Sequence, residues 1–168
     1  MRSPAPPTPD SVRIEPPAAT AYLPNRLMTS HPDQIALVTG AMGGLGTAIC
    51  QSLAKDGFKV VANCLPNFEQ KDAWLSAQRD LGFDFAAAEG DVSNYESCAA
   101  MVAKIEADIG PIDVLVNNAG ITRDMLAMRL KDEDWDAVLD TNLKAVFRMS
   151  RAVIRPMMKQ RYGRIISI

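Results

Sequence analysis

From Ile35 onward, short apolar runs alternate with longer amphipathic stretches along the chain. The apolar runs predict buried strands at 35–38, 59–62, 112–116 and 164–168, with a weaker candidate at 83–88. The stretches between them predict helices at about 44–56, 68–81, 94–109 and 132–162. Pro156, inside the last of these, is expected to kink the helix or to begin a new turn. Strands that alternate with helices of this length form right-handed βαβ units, so the sequence predicts an α/β domain with a parallel sheet.

Residues 1 to about 33 differ from the rest of the chain in their proline content. They contain most of its eleven prolines, and proline lacks the N–H that helices and sheet ladders require. We therefore predict a disordered, Pro-rich tail at 1–33 and a single domain at 34–168. An alternative hypothesis is that translation starts at Met28, so that the first 27 residues are not part of the natural protein.

Charge, apolar run length and cysteine spacing exclude several classes of function. The net charge of −2 gives no electrostatic basis for binding nucleic acid or an anionic membrane. No apolar run reaches the roughly 18 to 20 residues that a membrane span requires, and the N-terminus lacks the apolar core of a secretion signal. Cys50, Cys64 and Cys98 have the spacing of neither a disulfide framework nor a metal site. The sequence predicts a cytoplasmic protein without a bound metal, acting on a small molecule.

The strongest local signal is a glycine-rich segment between the first predicted strand and the first predicted helix. It reads Thr39-Gly40-Ala41-Met42-Gly43-Gly44-Leu45-Gly46. A glycine at position 40 allows a sharp turn off the strand, those at 43 and 44 allow the backbone to approach a pyrophosphate, and the one at 46 allows close helix packing. The free N–H groups of the helix N-terminus then favour phosphate charge. Although glycines also form plain turns, this placement predicts a nucleotide-binding loop.

Three further motifs follow the glycine-rich segment in order. Asp91-Val92 follows the third predicted strand, Asn117-Asn118-Ala119-Gly120 follows the fourth, and Asp140-Thr141-Asn142-Leu143 lies in the last predicted helix. Together with Thr-Gly-x-x-x-Gly-x-Gly, these motifs resemble those of the short-chain dehydrogenase/reductase family, and the resemblance covers about residues 35–168. It implies a Rossmann-like, doubly wound parallel sheet that is truncated at its C-terminal end.

The resemblance also implies roles for individual residues. Asp91 would lie at the adenine ring, the Asn-Asn-Ala-Gly motif would brace the sheet and line the cofactor pocket, and Asn142 would be catalytic, holding a water that links a catalytic lysine to a proton relay. The implied cofactor-binding set is Gly40, Met42, Gly43, Gly44, Leu45, Gly46, Lys71, Asp91, Val92, Asn118, Ala119, Gly120 and Ile121.

Simpler alternatives stay open for three of these positions. Asp91 could cap the helix that follows it, a role that is compatible with an adenine contact. Asn117 could satisfy buried backbone groups only. Asn142 could be a neutral, solvent-facing residue, although asparagine is a mediocre helix former and its presence there favours a role.

The end of the second predicted strand bears on the choice of nicotinamide cofactor. NAD enzymes usually carry an acidic residue there that bonds the ribose 2′-hydroxyl, whereas this strand runs Val60-Val61-Ala62-Asn63-Cys64. Because an acidic side chain would repel a 2′-phosphate, its absence favours NADP(H). Lys71 is the nearest cation downstream, and we predict that it binds the 2′-phosphate.

Within the family, the sequence resembles the bacterial acetoacetyl-CoA reductases. The runs 43–51, 53–58, 81–85, 119–124 and 134–138 carry this similarity. It implies reduction of acetoacetyl-CoA to (R)-3-hydroxybutyryl-CoA with NADPH, a precursor of polyhydroxybutyrate, with Asp124 near the substrate and a homotetrameric full-length enzyme. Those enzymes have arginines where this chain has Gln70 and Lys71. The alternative is a 3-oxoacyl-[acyl-carrier-protein] reductase, because those reductases share the run Asn-Ala-Gly-Ile-Thr-Arg-Asp.

The family's catalytic Ser and Tyr-x-x-x-Lys do not occur in these 168 residues. In the family the Ser follows the fifth strand almost at once, and none of Tyr22, Tyr95 and Tyr162 has a lysine four residues later. We therefore expect a fragment of a full-length oxidoreductase that is inactive and poorly soluble on its own. Two alternatives are a short product that binds NADP(H) without catalysis, and a non-catalytic relic that associates through exposed strand edges.

Overall fold

The computed structural model describes residues 33–168, so the predicted Pro-rich tail and the Met28 hypothesis lie outside the described residues. Five parallel strands form one sheet in the order β3-β2-β1-β4-β5. Their bounds are β1 Ile35–Val38, β2 Lys59–Cys64, β3 Ala86–Glu89, β4 Ile112–Asn117 and β5 Arg164–Ser167. This arrangement confirms the predicted Rossmann-like, doubly wound parallel sheet.

Five α-helices connect the strands: α1 Gly44–Lys55, α2 Lys71–Asp80, α3 Tyr95–Asp108, α4 Asp132–Val138 and α5 Ala145–Gln160. A short 3-10 helix, Ala127–Arg129, precedes α4, and a π-helical segment, Leu139–Lys144, joins α4 to α5. None of the helices in residues 33–168 is long and apolar enough to cross a bilayer.

The helices cover both faces of the sheet, because successive residues of a strand point to opposite faces. On one face Leu37 and Leu115 pack against α3 and α5 through side chains that include Met101 and Met149. On the other face Ala36 and Val38 join Cys50 of α1 and the partly buried residues of α2. All three cysteines are free and buried, so they serve as core residues.

Three predicted elements differ from the structure. The third strand is Ala86–Glu89 rather than 83–88, because Phe83 and Phe85 stack in a row with Trp74 before the ladder begins. Helix α2 begins at Lys71 rather than 68, since residues 65–70 form turns and Asn67 has a φ of 57°.

The third difference concerns the long helix predicted at 132–162. It divides into α4, the π-helical segment and α5. Helix α5 continues through Pro156, so the proline does not begin a new turn there, and the helix ends before Arg161, which has a φ of 58°.

The order of the strands creates a crevice at the carboxyl end of the sheet. Strand β1 lies between β2 and β4, and the connections leave it in opposite directions on its two sides. In open parallel sheets, ligands bind outside the strand ends at such a switch point. The fold therefore places the glycine-rich segment, which follows β1, at the position where a ligand is expected.

Candidate functional site

A cavity of about 580 Å³ lies at the carboxyl end of the sheet. Its walls come from the segments that follow four different strands, β1 to β4. The lining residues are Gly40, Gly43, Gly44, Leu45, Gly46, Asn63, Cys64, Leu65, Gly90, Asp91, Val92, Ser93, Asn118, Ala119, Gly120, Ile121 and Thr141. Most of the cofactor-binding residues proposed from the sequence are in this set.

The turn after β1 can be built only with glycine at two positions. Gly40 has a φ of 59°, and a Cβ there would lie 2.8 Å from the Cα of Ala119. A Cβ on Gly46 would collide with the carbonyl oxygen of Gly40 and would lie 2.7 Å from the Cα of Ala41. The turn is therefore folded tightly between α1 and the segment after β4, as the glycine spacing predicted.

The N-terminus of α1 lies at this cavity, and the N–H groups of Gly44, Leu45 and Gly46 have no hydrogen-bond partner within residues 33–168. The N-cap residue is Gly43, and no side chain in the described chain caps it. The first turn, residues 44–47, contains no acidic side chain, and nothing described lies within 4 Å of a Cβ built on Gly44. Open space, free donors and the positive end of the helix dipole together fit a phosphate group.

Asn63, the second-last residue of β2, ties together three of the segments that line the cavity. Its side chain is almost fully buried. Oδ1 accepts a hydrogen bond of 3.2 Å from the Gly40 N–H. Nδ2 lies within hydrogen-bond distance of the carbonyl oxygens of Cys64, Ala88 and Gly90, at 3.1, 3.2 and 3.0 Å. One amide therefore fixes the glycine turn relative to the ends of β2 and β3.

Thr39 and Asn118 form a second brace between β1 and β4. The Thr39 hydroxyl accepts from the backbone N–H groups of Asn118 and Ala119, at 2.9 and 3.0 Å. The Asn118 amide donates to the carbonyl oxygens of Thr39 and Gly40, at 2.9 and 3.1 Å. Asn117 does not share this role, because its buried Nδ2 has no partner within residues 33–168. The bracing expected of the Asn-Asn-Ala-Gly motif is thus carried by Asn118.

Asp91 lies in the cavity wall and does not cap α3. Its Oδ1 accepts from the backbone N–H and the hydroxyl of Ser93, at 2.8 and 2.7 Å. The N-cap of α3 is Asn94, whose side chain accepts from Ser97 N–H. The capping alternative for Asp91 is wrong, because the chain makes one further turn between Asp91 and the helix.

Asn142 lies in the π-helical segment and contacts the loop that follows β4. Its Oδ1 accepts from Ile121 N–H at 2.8 Å, and its Nδ2 donates to the Ile121 carbonyl oxygen at 3.0 Å. The amide also faces Gly120, where a Cβ would lie 3.4 Å from Oδ1. Asn142 is exposed, but its side chain is not solvated only, because its amide bonds both the backbone N–H and the carbonyl oxygen of Ile121.

Two cations hold the π-helical segment through Asp140. Lys144 Nζ and Arg148 Nη2 lie 2.9 and 3.1 Å from Asp140 Oδ1, and Arg148 Nη1 donates to the Asp140 carbonyl oxygen. That carbonyl also accepts the backbone N–H of Ala145, the bond that makes this turn a π-turn. Hydrogen bonds from Lys144 and then Arg148 hold the pKa of the Asp140 carboxyl below its ordinary value.

We expect Lys144→Met and Arg148→Met each to raise the pKa of Asp140, and Lys144→Met to raise it more. Arg151→Met is the control, since Arg151 stacks on the ring of Tyr95 instead. An NMR pH titration of the side-chain carboxyl carbon gives the value. Because the native pKa is lowered, the stabilisation is present above the ordinary pKa and is lost as the pH falls through the native one. An unchanged pKa in both variants would contradict the assignment.

Four residues proposed from the sequence do not line the cavity. Met42 lies between the lining glycines of the turn, and Asn142 contacts the lining residues Gly120 and Ile121 without lining the cavity itself. Asp124 is exposed in the loop before α4. Lys71 begins α2, where its ammonium is bound to Glu89 at 2.6 Å. Met42 and Asn142 were predicted from motifs, Asp124 from the similarity to the acetoacetyl-CoA reductases, and Lys71 as the nearest cation after the second strand; none of these signals specifies side-chain contacts.

Several lining residues were missed by sequence reasoning. Asn63, Gly90, Ser93 and Thr141 line the cavity beside the residues that were predicted. Their positions, directly at or after the strand ends or next to Asn142, give a signal that could have found them, since every segment following a strand of a parallel sheet points to the same edge.

Comparison with known proteins gives consistent matches over this part of the chain. Residues 34–168 match the family profile described as short chain dehydrogenase. The chain is 63% identical over 135 residues to nodulation protein G of Azospirillum brasilense and 51% identical to acetoacetyl-CoA reductase of Cupriavidus necator. It is 45% identical to the 3-oxoacyl-[acyl-carrier-protein] reductase of Escherichia coli. These alignments cover 80% of this chain and 55%, 55% and 54% of the relatives, so the chain spans about half of their length.

Solved structures show the same arrangement of strands and helices. A gluconate 5-dehydrogenase from Burkholderia cenocepacia, crystallised with NADP and tartrate, matches with a TM-score of 0.74 and 35% identity. The match covers 82% of this chain and 54% of that one. The structure of gox2181 matches with a TM-score of 0.77 and 30% identity, over 84% of this chain and 55% of the other.

Proposed function

The chain belongs to the short-chain dehydrogenase family, and from this premise we propose that residues 34–168 are the partial NADP(H)-binding domain of a reductase that acts on short 3-ketoacyl thioesters. The observation that carries this proposal is the cavity at the switch point of the sheet, which combines an uncapped helix N-terminus with open space above Gly44. A structural neighbour whose crystals contain NADP supports the choice of cofactor.

The residues of the cavity fit the parts of a dinucleotide. We assign the pyrophosphate to the glycine turn and the N–H groups that open α1, where a side chain on Gly44 would occupy the open space. Asp91 and Val92 are assigned to the adenine end, and the segment from Asn118 to Ile121 to the nicotinamide half. When bound, NADPH supplies the hydride for a carbonyl carbon.

We assign Asn142 a catalytic role as the residue that holds a water in a proton relay, and Asp124 a place near the substrate. Support for Asn142 comes from its position in a π-helical segment, a local distortion that is frequent at functional sites. Its two hydrogen bonds to Ile121 connect it to the cofactor cavity. The complete enzyme is proposed to be a homotetramer.

The proposed substrate is acetoacetyl-CoA, reduced to (R)-3-hydroxybutyryl-CoA. The 51% identity to the Cupriavidus necator acetoacetyl-CoA reductase supports this choice. A 3-oxoacyl thioester of acyl carrier protein is the second candidate, supported by the 45% identity to the Escherichia coli reductase. The two substrates share the 3-ketoacyl thioester and differ in the group that carries it.

The first test is to bind the dinucleotide directly. NADP⁺ is expected to raise the melting temperature of the purified chain, since a ligand that binds only the folded state raises its apparent stability. Gly44→Ala is expected to weaken this shift without lowering the melting temperature of the free chain. The proposal fails if neither NADP⁺ nor NAD⁺ shifts the transition of the wild-type chain.

The second test concerns catalysis. The coding sequence after Ile168 is read first, and we expect a Ser close to β5 followed by Tyr-x-x-x-Lys. The protein that includes these residues is expected to oxidise NADPH with acetoacetyl-CoA, while the 168-residue chain does not. Faster turnover with the acetoacetyl thioester of acyl carrier protein would favour the second candidate, and an immediate stop codon would leave a nucleotide-binding protein without catalysis.

A further inference from the structure

We infer that Glu89 determines how strongly this site prefers NADP(H) over NAD(H). It supplies, from the end of β3, a carboxylate that the end of β2 lacks, and it competes with the 2′-phosphate of the cofactor for Lys71. The inference rests on the proposed function, since it concerns the same cavity and its dinucleotide.

The sheet register places Glu89 beside the strand end at which the adenine ribose is expected. Glu89 pairs with Cys64, the last residue of β2. Cys64 and the following Leu65 line the cavity, as do Gly90 and Asp91, the two residues after Glu89. In dinucleotide-binding folds, the residue about 20 positions beyond the glycine motif meets the ribose 2′ position. Here that position is the Cys64-Leu65 strand end, next to Glu89.

The two carboxylate oxygens of Glu89 bind Lys71, the first residue of α2, and Asn67, in the segment that connects β2 to α2. Oε1 contacts Lys71 Nζ at 2.6 Å, and Oε2 accepts from the backbone N–H of Asn67 at 3.4 Å. Asn67 has a φ of 57° within the turns of this connection, and its backbone N–H is directed at Glu89 of β3. The carboxylate thereby holds Lys71, the first cation after β2, over the end of β3.

The charges of Glu89 and Lys71 affect Cys64, a residue that lines the cavity. Burial raises the pKa of the Cys64 thiol, the charge of Glu89 raises it further, and the charge of Lys71 lowers it. The hydrogen bond from Lys71 in turn holds the pKa of Glu89 below its ordinary value, so the carboxylate stays ionised. The charge of Asp72, beside Lys71, also raises the pKa of Lys71, and the charge of Lys104 in α3 also lowers the pKa of Glu89.

A bound 2′-phosphate would meet two opposing effects at this position. The phosphate carries a charge of about −1.5 to −2, so it attracts Lys71 and is repelled by Glu89. To form a close ion pair with the phosphate, the Lys71 ammonium must lose part of its contact with the Glu89 carboxylate. NAD(H) has a hydroxyl at the same place and is nearly indifferent to both charges. Glu89 therefore weakens NADP(H) selectively, and the preference of the site is a balance between the two residues.

The test compares the dissociation constants of NADP⁺ and NAD⁺ for the wild-type chain, Glu89→Gln and Lys71→Gln, measured by isothermal titration calorimetry. Glu89→Gln keeps an acceptor for the Asn67 N–H and is expected to bind NADP⁺ about three-fold to ten-fold more tightly, with NAD⁺ changed less than about two-fold. Lys71→Gln is expected to weaken NADP⁺ by a similar factor. Both effects should shrink at high salt, because the charges are partly exposed.

Glu133→Gln, at an exposed position of α4, is the control with the same change in net charge. It should leave both dissociation constants unchanged. The inference is overturned if Glu89→Gln leaves the ratio of the two constants unaltered, or shifts it toward NAD⁺. If the wild-type chain binds neither dinucleotide, the proposed function itself fails. Circular dichroism of each variant shows whether a change in dissociation constant is caused by unfolding. Lys71→Gln tests the same balance of charges independently of Glu89→Gln.

Discussion

Replacing Gly46 with alanine is expected to lower the free energy of unfolding of the chain by at least about 2 kcal/mol. The reason is steric, since a Cβ at this position would overlap the Gly40 carbonyl oxygen and would lie 2.7 and 2.9 Å from two backbone atoms of Ala41. A flexible side chain could move aside, but a backbone turn pinned by Asn63 and Asn118 cannot. Urea unfolding measures the change.

Gly44→Ala is the matched control, because both glycines lie in the first turn of α1 and both gain the same methyl group. No atom within residues 33–168 lies within 4 Å of a Cβ built on residue 44. The free energy of unfolding should therefore stay unchanged or rise by up to about 1 kcal/mol, because alanine has the higher helix propensity. The methyl group would instead obstruct the pyrophosphate, and we expect the dissociation constant of NADP⁺ to rise about ten-fold or more. Equal losses of stability in both variants would contradict this account of the turn.

Asn63→Ala is expected to have the second large effect, a loss of about 2–4 kcal/mol in the free energy of unfolding. The substitution removes the partner of the Gly40 N–H and leaves up to three carbonyl oxygens at the ends of β2 and β3 without the Nδ2 donor. Water replaces such bonds poorly here, because the Asn63 side chain is only 2% exposed.

The control for this prediction is Asn142→Ala. Asn142 also bonds backbone groups with both ends of its amide, but it is exposed, so water can take over both bonds. We expect a loss of about 0.5–1 kcal/mol for this variant. Thermal and urea unfolding of the two variants are compared under identical conditions. A loss at Asn63 no larger than that at Asn142 would show that the buried amide does not hold the cavity together.

The fold could be predicted from the sequence because three of its strands, β1, β2 and β4, are largely apolar and are buried along almost their whole length. Short apolar runs such as Ile35–Val38 and Ile112–Asn117 are best explained as parallel strands when helices of ten to fourteen residues lie between them. The third strand was predicted to begin three residues too early and to end one residue too early, since its alanines give a weak signal and the aromatic residues before them a strong one.

The candidate site was predicted only in part. The residues that were not predicted depend on contacts with residues distant in the sequence. Glycines in the turn leave a pattern in the sequence because only glycine fits there. For Asn63 the sequence shows only a position near the end of an apolar strand, because its importance comes from carbonyl groups more than twenty residues away along the chain. The same holds for Glu89, whose partner is known only once β3 is placed beside β2.

The position of β1 at the centre of the sheet also has a consequence for the order of folding. Ile35 pairs with Lys59 on one side and with Ile112 on the other, so the first ladder can close over a short loop and the second only over a long one. During synthesis, β1, β2 and β3 are available to pair well before β4 leaves the ribosome. Because the cavity has walls from both sides of β1, we expect the half that contains β1 to β3 to form without ligand, and a dinucleotide to stabilise only the later sheet in which β4 is paired with β1.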